Sequence, residues 1–138
     1  MLDLVVPLAH PLAHRREVTV AELAGMDFVD SPRGYGNRTV TDRAFADASV
    51  ARRVAVEITD VATGVDFVRH GLGVALLPRF VLGNAADVAT LTVSDANLEW
   101  PLSLALPAER AQGAATRAMI AMARELLSRP RSSPPPSA

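Results

Sequence analysis

The hydrophobic pattern changes its period within the segment 61–78. Apolar side chains first recur at helical spacing, as Val61, Val65, Val68 and Leu72. Gly71 and Gly73 tolerate the left-handed backbone conformation that often ends a helix. Four apolar residues, Val74–Leu77, then follow without polar alternation, and Pro78 lacks the amide donor that a ladder needs. The pattern predicts a helix, a tight turn and a strand that is covered on both faces.

The rest of the chain alternates strands with helices. Strands are predicted at Leu4–Val6, Phe28–Val29, Val54–Ile58, Leu91–Val93 and Leu102–Leu106. Further helices are predicted after the Thr19–Glu22 capping box, after a glycine-rich loop at 31–38, through Leu82, and between Pro107 and Pro130. Such an order indicates an α/β fold with an open, mostly parallel twisted sheet and helices on both faces.

Two segments follow the carboxyl ends of predicted strands, which is where open sheets of this class bind ligands. The first holds Ser31, Pro32 and Arg33, and the second holds Thr59, Asp60, Val61 and Ala62. The second segment also begins a helix, whose free backbone amides attract an anion by up to ~1–2 kcal/mol. We therefore predict a small-molecule site here, with a carboxylate as the expected ligand.

Each candidate residue also has a purely structural interpretation. Asp60 can cap the helix itself, which stabilises a helix by about 1 kcal/mol, and its charge opposes an anionic ligand. Thr59 can hydrogen-bond locally. Arg33 and Arg38 can pair with a carboxylate or remain solvated, and Tyr35 can stack on a ligand or cover its own loop. The sequence leaves these alternatives open.

The composition restricts the chemistry. The chain has 138 residues, of which 49% are hydrophobic and 21% charged, and a net charge of −1, as expected of a small globular protein. Cysteine is absent and all 14 basic residues are arginine, so thiolate and lysine chemistry are excluded. The chain has neither an apolar run of ~20 residues nor a basic leader, so we expect a cytoplasmic protein with no membrane span.

Other possible sites are weaker. His10 and His14 have the spacing of metal ligands on a helix, but a proline separates them, so no metal is predicted. The glycines at 71–73 precede their strand and predict a turn, not a nucleotide loop. Ser31 and His70 lack the sequence context of a nucleophile and its base. Neither catalysis nor a cofactor is expected.

Three segments carry a family resemblance. The segment Ile58–Pro78, ITDVATGVDFVRHGLGVALLP, resembles a characteristic part of the effector-binding domain of LysR-type transcriptional regulators. Leu2–Ala13, LDLVVPLAHPLA, is similar to the strand that enters the second half of that domain. Leu102–Leu127, LSLALPAERAQGAATRAMIAMARELL, is similar to its returning strand and final helix. The order and spacing of the three segments also match.

The resemblance implies a periplasmic-binding-protein-like fold of type 2, in which a small-molecule effector binds between two halves and shifts a conformational equilibrium. It assigns residues 1–106 to the second effector-binding subdomain with its hinge strands. Residues 107–128 are then the helix that packs on the absent first subdomain, followed by a disordered Pro/Ser tail at 129–138. Family members associate through these domains, so a homo-oligomer is expected.

The resemblance does not extend to DNA binding by this segment. No helix-turn-helix pattern is recognised, and scattered arginines in a chain of net charge −1 do not indicate a basic patch for DNA phosphates. DNA contact is expected only through an absent N-terminal domain. Two alternatives remain: a lobe of a solute-binding protein, or a degenerate regulator fragment that acts only as an interaction module.

Overall fold

Strands and helices alternate along the chain in the computed structural model, which describes residues 1–83, 86–106 and 113–128. The strands are β1 (Leu2–Pro7), β2 (Glu17–Val18), β3 (Asp27–Asp30), β4 (Arg53–Glu57), β5 (Ala75–Pro78) and β6 (Val88–Val93). The α-helices are α1 (Gly36–Asp47), α2 (Gly64–Arg69), α3 (Arg79–Leu82) and α4 (Ala114–Ser128). Single turns of 3-10 helix occur at Pro11–His14, Val20–Leu23 and Val61–Thr63.

The sheet is mixed. Four strands lie in the order β2-β6-β1-β5, with β1 antiparallel to β5 and β6, and β2 parallel to β6. β3 and β4 form a parallel pair, and Phe28 of β3 makes a parallel bridge with Val74, immediately before β5. The predicted α/β fold is confirmed, although β1 runs against both of its neighbours. A continuous apolar run indicates that both faces of a strand are covered, but it does not indicate the direction of the adjacent strands.

Two apolar clusters cover the two faces of the sheet. Successive residues of β1 alternate between them, with Leu4 and Val6 in one cluster and Val5 in the other, as the two-residue period of a strand requires. Helix α1 contributes Phe45 to the first cluster, where its ring meets Phe28 edge to face at 5.4 Å. Helix α2 contributes Val65 and Val68 to the second. The prediction of helices on both faces is therefore confirmed.

The predicted caps and turns are also confirmed. The Thr19 amide donates to the Glu22 carboxylate at 2.9 Å, completing the capping box. At the turn before β5, Gly73 has φ of 150°, and a Cβ there would lie only 2.7 Å from the Asp27 carbonyl oxygen. Only glycine allows this close approach of the turn to β3 without a local shift.

Several boundaries differ from the prediction: β6 begins at Val88 instead of Leu91, and α2 ends at Arg69, so Leu72 lies beyond it. Helix α1 begins at Gly36, so residues 36–38 form its first turn instead of the end of the loop. Trp100 packs over this turn, since a Cβ on Gly36 would lie 2.8 Å from the Trp100 indole nitrogen. The predicted strand Leu102–Leu106 has no strand hydrogen bonding among the described residues. A strand needs a partner for its ladder, and alternating apolar residues do not supply one.

The chain divides into two compact units, Met1–Leu102 and the part from Ser103 onward. In the second unit, α4 carries the apolar side chains Met119, Met122 and Leu126, which are exposed. The tail predicted at 129–138 lies outside the described residues. Among the residues that the structure does describe, no helix is both long and apolar enough to cross a membrane.

Candidate functional site

The two candidate segments leave the sheet side by side. The parallel register of β3 and β4 ends with Asp30 opposite Glu57, and the Ile58 amide donates to the Asp30 carbonyl at 2.9 Å. Ser31 and Thr59 therefore begin their segments at the same edge. Because the bridge between Phe28 and Val74 is parallel, β5 also ends at this edge. The structure thus brings the two predicted segments together.

The first segment begins with a buried serine whose polar groups are engaged. Ser31 is 1% exposed, and its hydroxyl oxygen accepts a hydrogen bond from the Asn37 side-chain amide at 2.7 Å. Its carbonyl accepts from the Arg38 guanidinium at 2.9 Å, and its amide donates to Asp30 Oδ1 at 2.7 Å. Buried polar groups require such partners. Ser31 therefore serves to fix the start of its own loop.

The next residues of this segment reach the surface. Pro32 is half-buried and Arg33 is exposed. Arg33 lines a groove of about 350 Å³ together with Arg38, Asp42 and Arg52. In the described part of the chain Arg33 forms none of the ion pairs, whereas Arg38 and Arg52 each pair with Asp42. Arg33 is thus the cation of this segment that remains available to an anionic ligand.

The second segment is exposed where the first is buried. Thr59 and Asp60 lie at the surface and Val61 is half-buried. Asp60 Oδ1 accepts from the Ala62 amide at 3.0 Å, and the Asp60 carbonyl accepts from the Thr63 hydroxyl at 2.8 Å. The capping role that the sequence left open for Asp60 is therefore present. An anion that approached this turn would meet the Asp60 carboxylate beside an amide that is already used.

A buried ion cluster lies behind the first segment, formed by Asp30, Arg38 and Arg52. Asp30 is 6% exposed, and its Oδ2 lies 2.7 Å from Arg52 Nη1 and 3.6 Å from Arg38 Nε. The Arg52 guanidinium also sits over the rings of Phe28 and Phe45, at 5.4 and 5.1 Å from their centroids. Burial raises the pKa of the Asp30 carboxyl above its ordinary value, against the opposing attraction of Arg52 and Arg38.

Sequence reasoning missed most of this cluster. It gave Arg38 either a surface role or a ligand-binding role, but the side chain is buried and pairs with Asp30 and Asp42. The spacing of Arg38 and Asp42, four residues apart on a helix, was an available signal for one pair. Asp30 and Arg52 were not singled out, because Asp30 lies in β3 and Arg52 immediately before β4, and local spacing does not show that they pair.

His10 and His70 have local partners. His10 Nδ1 accepts from the Leu12 amide at 3.2 Å, and His70 Nδ1 lies 2.7 Å from the Asp66 carbonyl oxygen. His14 is exposed. Across residues 1–83, 86–106 and 113–128, no group of three or more His, Cys, Asp or Glu side chains is arranged to hold a metal ion.

Comparison with known proteins gives one consistent result. A family model described as the LysR substrate binding domain matches residues 2–128. An uncharacterised HTH-type transcriptional regulator from Bacillus subtilis, YybE, is 32% identical over 100 residues, which cover 72% of this chain and 32% of YybE. The chain spans about a third of the length of the curated relatives that it matches.

Solved structures share the fold. The regulatory domain of CcmR from Synechocystis PCC6803, in complex with 2-PG, superposes with a TM-score of 0.77 at 16% identity, over 92% of this chain and 62% of that one. The effector binding domain of QuiR in complex with shikimate gives 0.76 at 19% identity, over 91% of this chain and 60% of that one. The predicted type of fold is therefore confirmed.

Proposed function

The chain belongs to the LysR substrate-binding domain family, and from that premise we propose that it is the effector-sensing part of a transcriptional regulator. The match across residues 2–128 carries this proposal. The edge where β3 and β4 end supports it, because a buried, fixed loop start lies there next to an exposed turn. Ser31, Pro32 and Arg33 then form one side of the effector site, and Thr59, Asp60 and Val61 form the other.

The ligand we propose is a small hydroxycarboxylate. Arg33 supplies a cation for a carboxylate, while Asp60 accepts hydrogen bonds and repels a second anionic group. Thr59 can donate or accept at the same edge. The ligands named for two structural relatives, 2-PG and shikimate, are small molecules, and shikimate carries both a carboxylate and hydroxyl groups.

Sensing here requires no chemistry on the ligand. An effector acts by binding one arrangement of the regulator more tightly than another, since equal affinity for both arrangements shifts nothing. The named relatives are transcriptional regulators, and we propose that this segment neither catalyses a reaction nor uses a cofactor. DNA is held by another part of the regulator, in keeping with the net charge of −1 here.

The proposed organisation follows the family. Residues 1–106 form the second effector-binding subdomain with its hinge strands, and residues 107–128 contain a helix that packs on a first subdomain. The exposed methionines of α4 support this role, because an apolar stripe on a helix normally faces a partner. The regulator acts in the cytoplasm as a homo-oligomer.

Isothermal calorimetry with shikimate and its uncharged methyl ester tests the ligand class. We expect the chain to bind the acid more tightly than the ester, because only the acid can pair with Arg33. Arg33→Gln should remove this preference, whereas the exposed Arg43→Gln on α1 should keep it. If 2-PG and both forms of shikimate fail to bind at millimolar concentration, the interaction-module alternative is favoured. If Arg33→Gln still binds the acid more tightly than the ester, as the unaltered chain is expected to do, the role of Arg33 is contradicted.

A further inference from the structure

Arg38 touches the ends of both strands that carry the candidate site. Its Nη1 donates to the Ser31 carbonyl at 2.9 Å and lies 3.6 Å from Glu57 Oε1. Ser31 is the first residue after β3, and Glu57 is the last residue of β4. One guanidinium therefore contacts the backbone on one side of the site and a carboxylate on the other.

The Nε of Arg38 is engaged as well. Arg38 Nε lies 2.9 Å from Asp42 Oδ1 and 3.6 Å from Asp30 Oδ2, and the residue is 5% exposed. Arg52, the residue before β4, pairs with both of these carboxylates. The charged groups around Arg38 therefore come from α1, from β3, and from β4 and the residue before it. A planar fork with five donors can serve partners in several directions, whereas a lysine ammonium acts as a single point charge.

We propose that Arg38 is the positioning residue of this site: it holds the segment after β3 and the segment after β4 at a fixed spacing. A ligand that contacts both segments then meets them already in place, which lowers the ordering cost of binding. We call the contacts of Arg38 with Ser31 and Glu57 the clamp. The effect on ligand affinity rests on the proposed function, but the clamp itself does not.

Native-state hydrogen exchange tests the clamp without a ligand. The reporters are the Ser31 amide, which donates to Asp30 Oδ1, and the Ile58 amide, which donates to the Asp30 carbonyl. The Val29 amide, which donates to the Val74 carbonyl at 2.9 Å, is the reference within β3. In Arg38→Lys we expect exchange at the two reporters to rise about tenfold, with little change at Val29, because opening is local.

Arg43→Lys is the matched control, since Arg43 lies on the same helix with a side chain that is 83% exposed and 3.7 Å from Asp47. It should leave all three amides unchanged. An equal rise at Ser31, Ile58 and Val29 in Arg38→Lys would mean general destabilisation and would overturn the proposal. So would an unchanged rate at both reporters. The lysine variant keeps the charge, so its folding is less at risk than that of Arg38→Met.

A binding measurement then separates this inference from the proposed function. With shikimate as the probe, we expect the affinity to fall about tenfold in Arg38→Lys and not in Arg43→Lys, because a supporting residue sets the geometry of its site. An Arg38→Lys affinity equal to that of the unaltered chain would overturn the positioning role. If the unaltered chain does not bind, the proposed ligand is wrong, and the exchange rates still decide whether the clamp exists.

Discussion

The ends of β3 and β4 lie side by side, but their polar side chains are used in opposite ways. After β3, Ser31 and its partners are buried and hydrogen-bonded to one another. After β4, Thr59 and Asp60 are exposed, and the contacts of Asp60 are those of a helix cap. The comparison shows that a residue at the ligand-binding edge of a sheet need not face a ligand. The residues after β3 fix the start of the loop, whereas those after β4 are open to solvent.

The largest effect is expected from Arg52→Ala, which disrupts the buried cluster behind the end of β3. It removes a guanidinium packed against two phenylalanine rings and leaves Asp30 with less compensation, so we expect a loss of about 3–5 kcal/mol of unfolding free energy. The next residue is the control, because the Arg53 side chain is 71% exposed and pairs with Asp27. Arg53→Ala should leave the unfolding free energy close to that of the unaltered chain, because solvent screens an exposed ion pair. Urea denaturation measures both, and similar losses would show that the cluster does not stabilise the β3 end.

A smaller effect separates Ser31 from Thr59. Ser31→Ala leaves the buried Asn37 amide without its acceptor, and we expect a cost of about 1–3 kcal/mol. Thr59→Ala changes an exposed side chain and should stay within about 0.5 kcal/mol of the unaltered chain while weakening effector binding. Thermal unfolding and calorimetry of both variants give the comparison. If Ser31→Ala leaves the unfolding free energy unchanged, the hydrogen bond between Asn37 and Ser31 does not stabilise the end of β3.

Asp60 provides the next test, since it acts as a cap whether or not it also touches a ligand. Asp60→Ala should cost about 1 kcal/mol in thermal unfolding, because the Ala62 amide loses its acceptor. Asp60→Asn keeps the cap and should be nearly neutral, since Asn and Asp cap about equally well. If Asn destabilises the chain as much as Ala does, the charge of Asp60 matters more than its hydrogen bond.

The smallest effect is a pH slope. Because burial raises the pKa of Asp30, the native chain holds that proton more tightly than the unfolded chain does. The Asp30 contribution to the unfolding free energy therefore falls as pH rises from the ordinary pKa of an aspartate to the raised one. Asp30→Asn should lack this contribution. The unfolding free energy of the unaltered chain minus that of Asp30→Asn, measured by urea denaturation at a series of pH values, should therefore fall over the same interval.

An opposing contribution from Glu22 is common to both chains. A hydrogen bond from Arg15 lowers the pKa of this exposed carboxyl to about 2, so its contribution is lost as pH falls toward that value. It cancels in the difference between the unaltered chain and Asp30→Asn. A difference profile that rises with pH through the interval above the ordinary aspartate pKa would contradict the assignment to Asp30.

Local spacing was sufficient to predict most elements. The capping box at Thr19–Glu22, the cap at Asp60 and the turn at Gly73 each depend on residues close in sequence, and each is present. The candidate segments were also located correctly relative to the sheet, because the residue that follows a strand is fixed by the strand itself. Periodicity therefore predicts where polar residues stand along the sheet edge.

Local spacing did not predict how those residues are used. The direction of β1 depends on its distant partners β5 and β6, and the absent ladder at Leu102–Leu106 depends on a partner as well. The burial of Arg38 depends on Asp30, which belongs to another element. Ser31 and Thr59 are both small hydroxyl residues after a strand, and only tertiary packing makes one a framework residue and leaves the other exposed.

The most direct test of the contrast between the two ends is a titration of the isotope-labelled chain with shikimate, followed by NMR. We predict shifts at the amides of Thr59, Asp60 and Val61 and at the Arg33 side chain. We also predict that the Asn37 side-chain amide, held by Ser31, stays in place. Shifts confined to residues far from this edge, or a loss of the bond between Asn37 and Ser31 on binding, would contradict the contrast between the two ends.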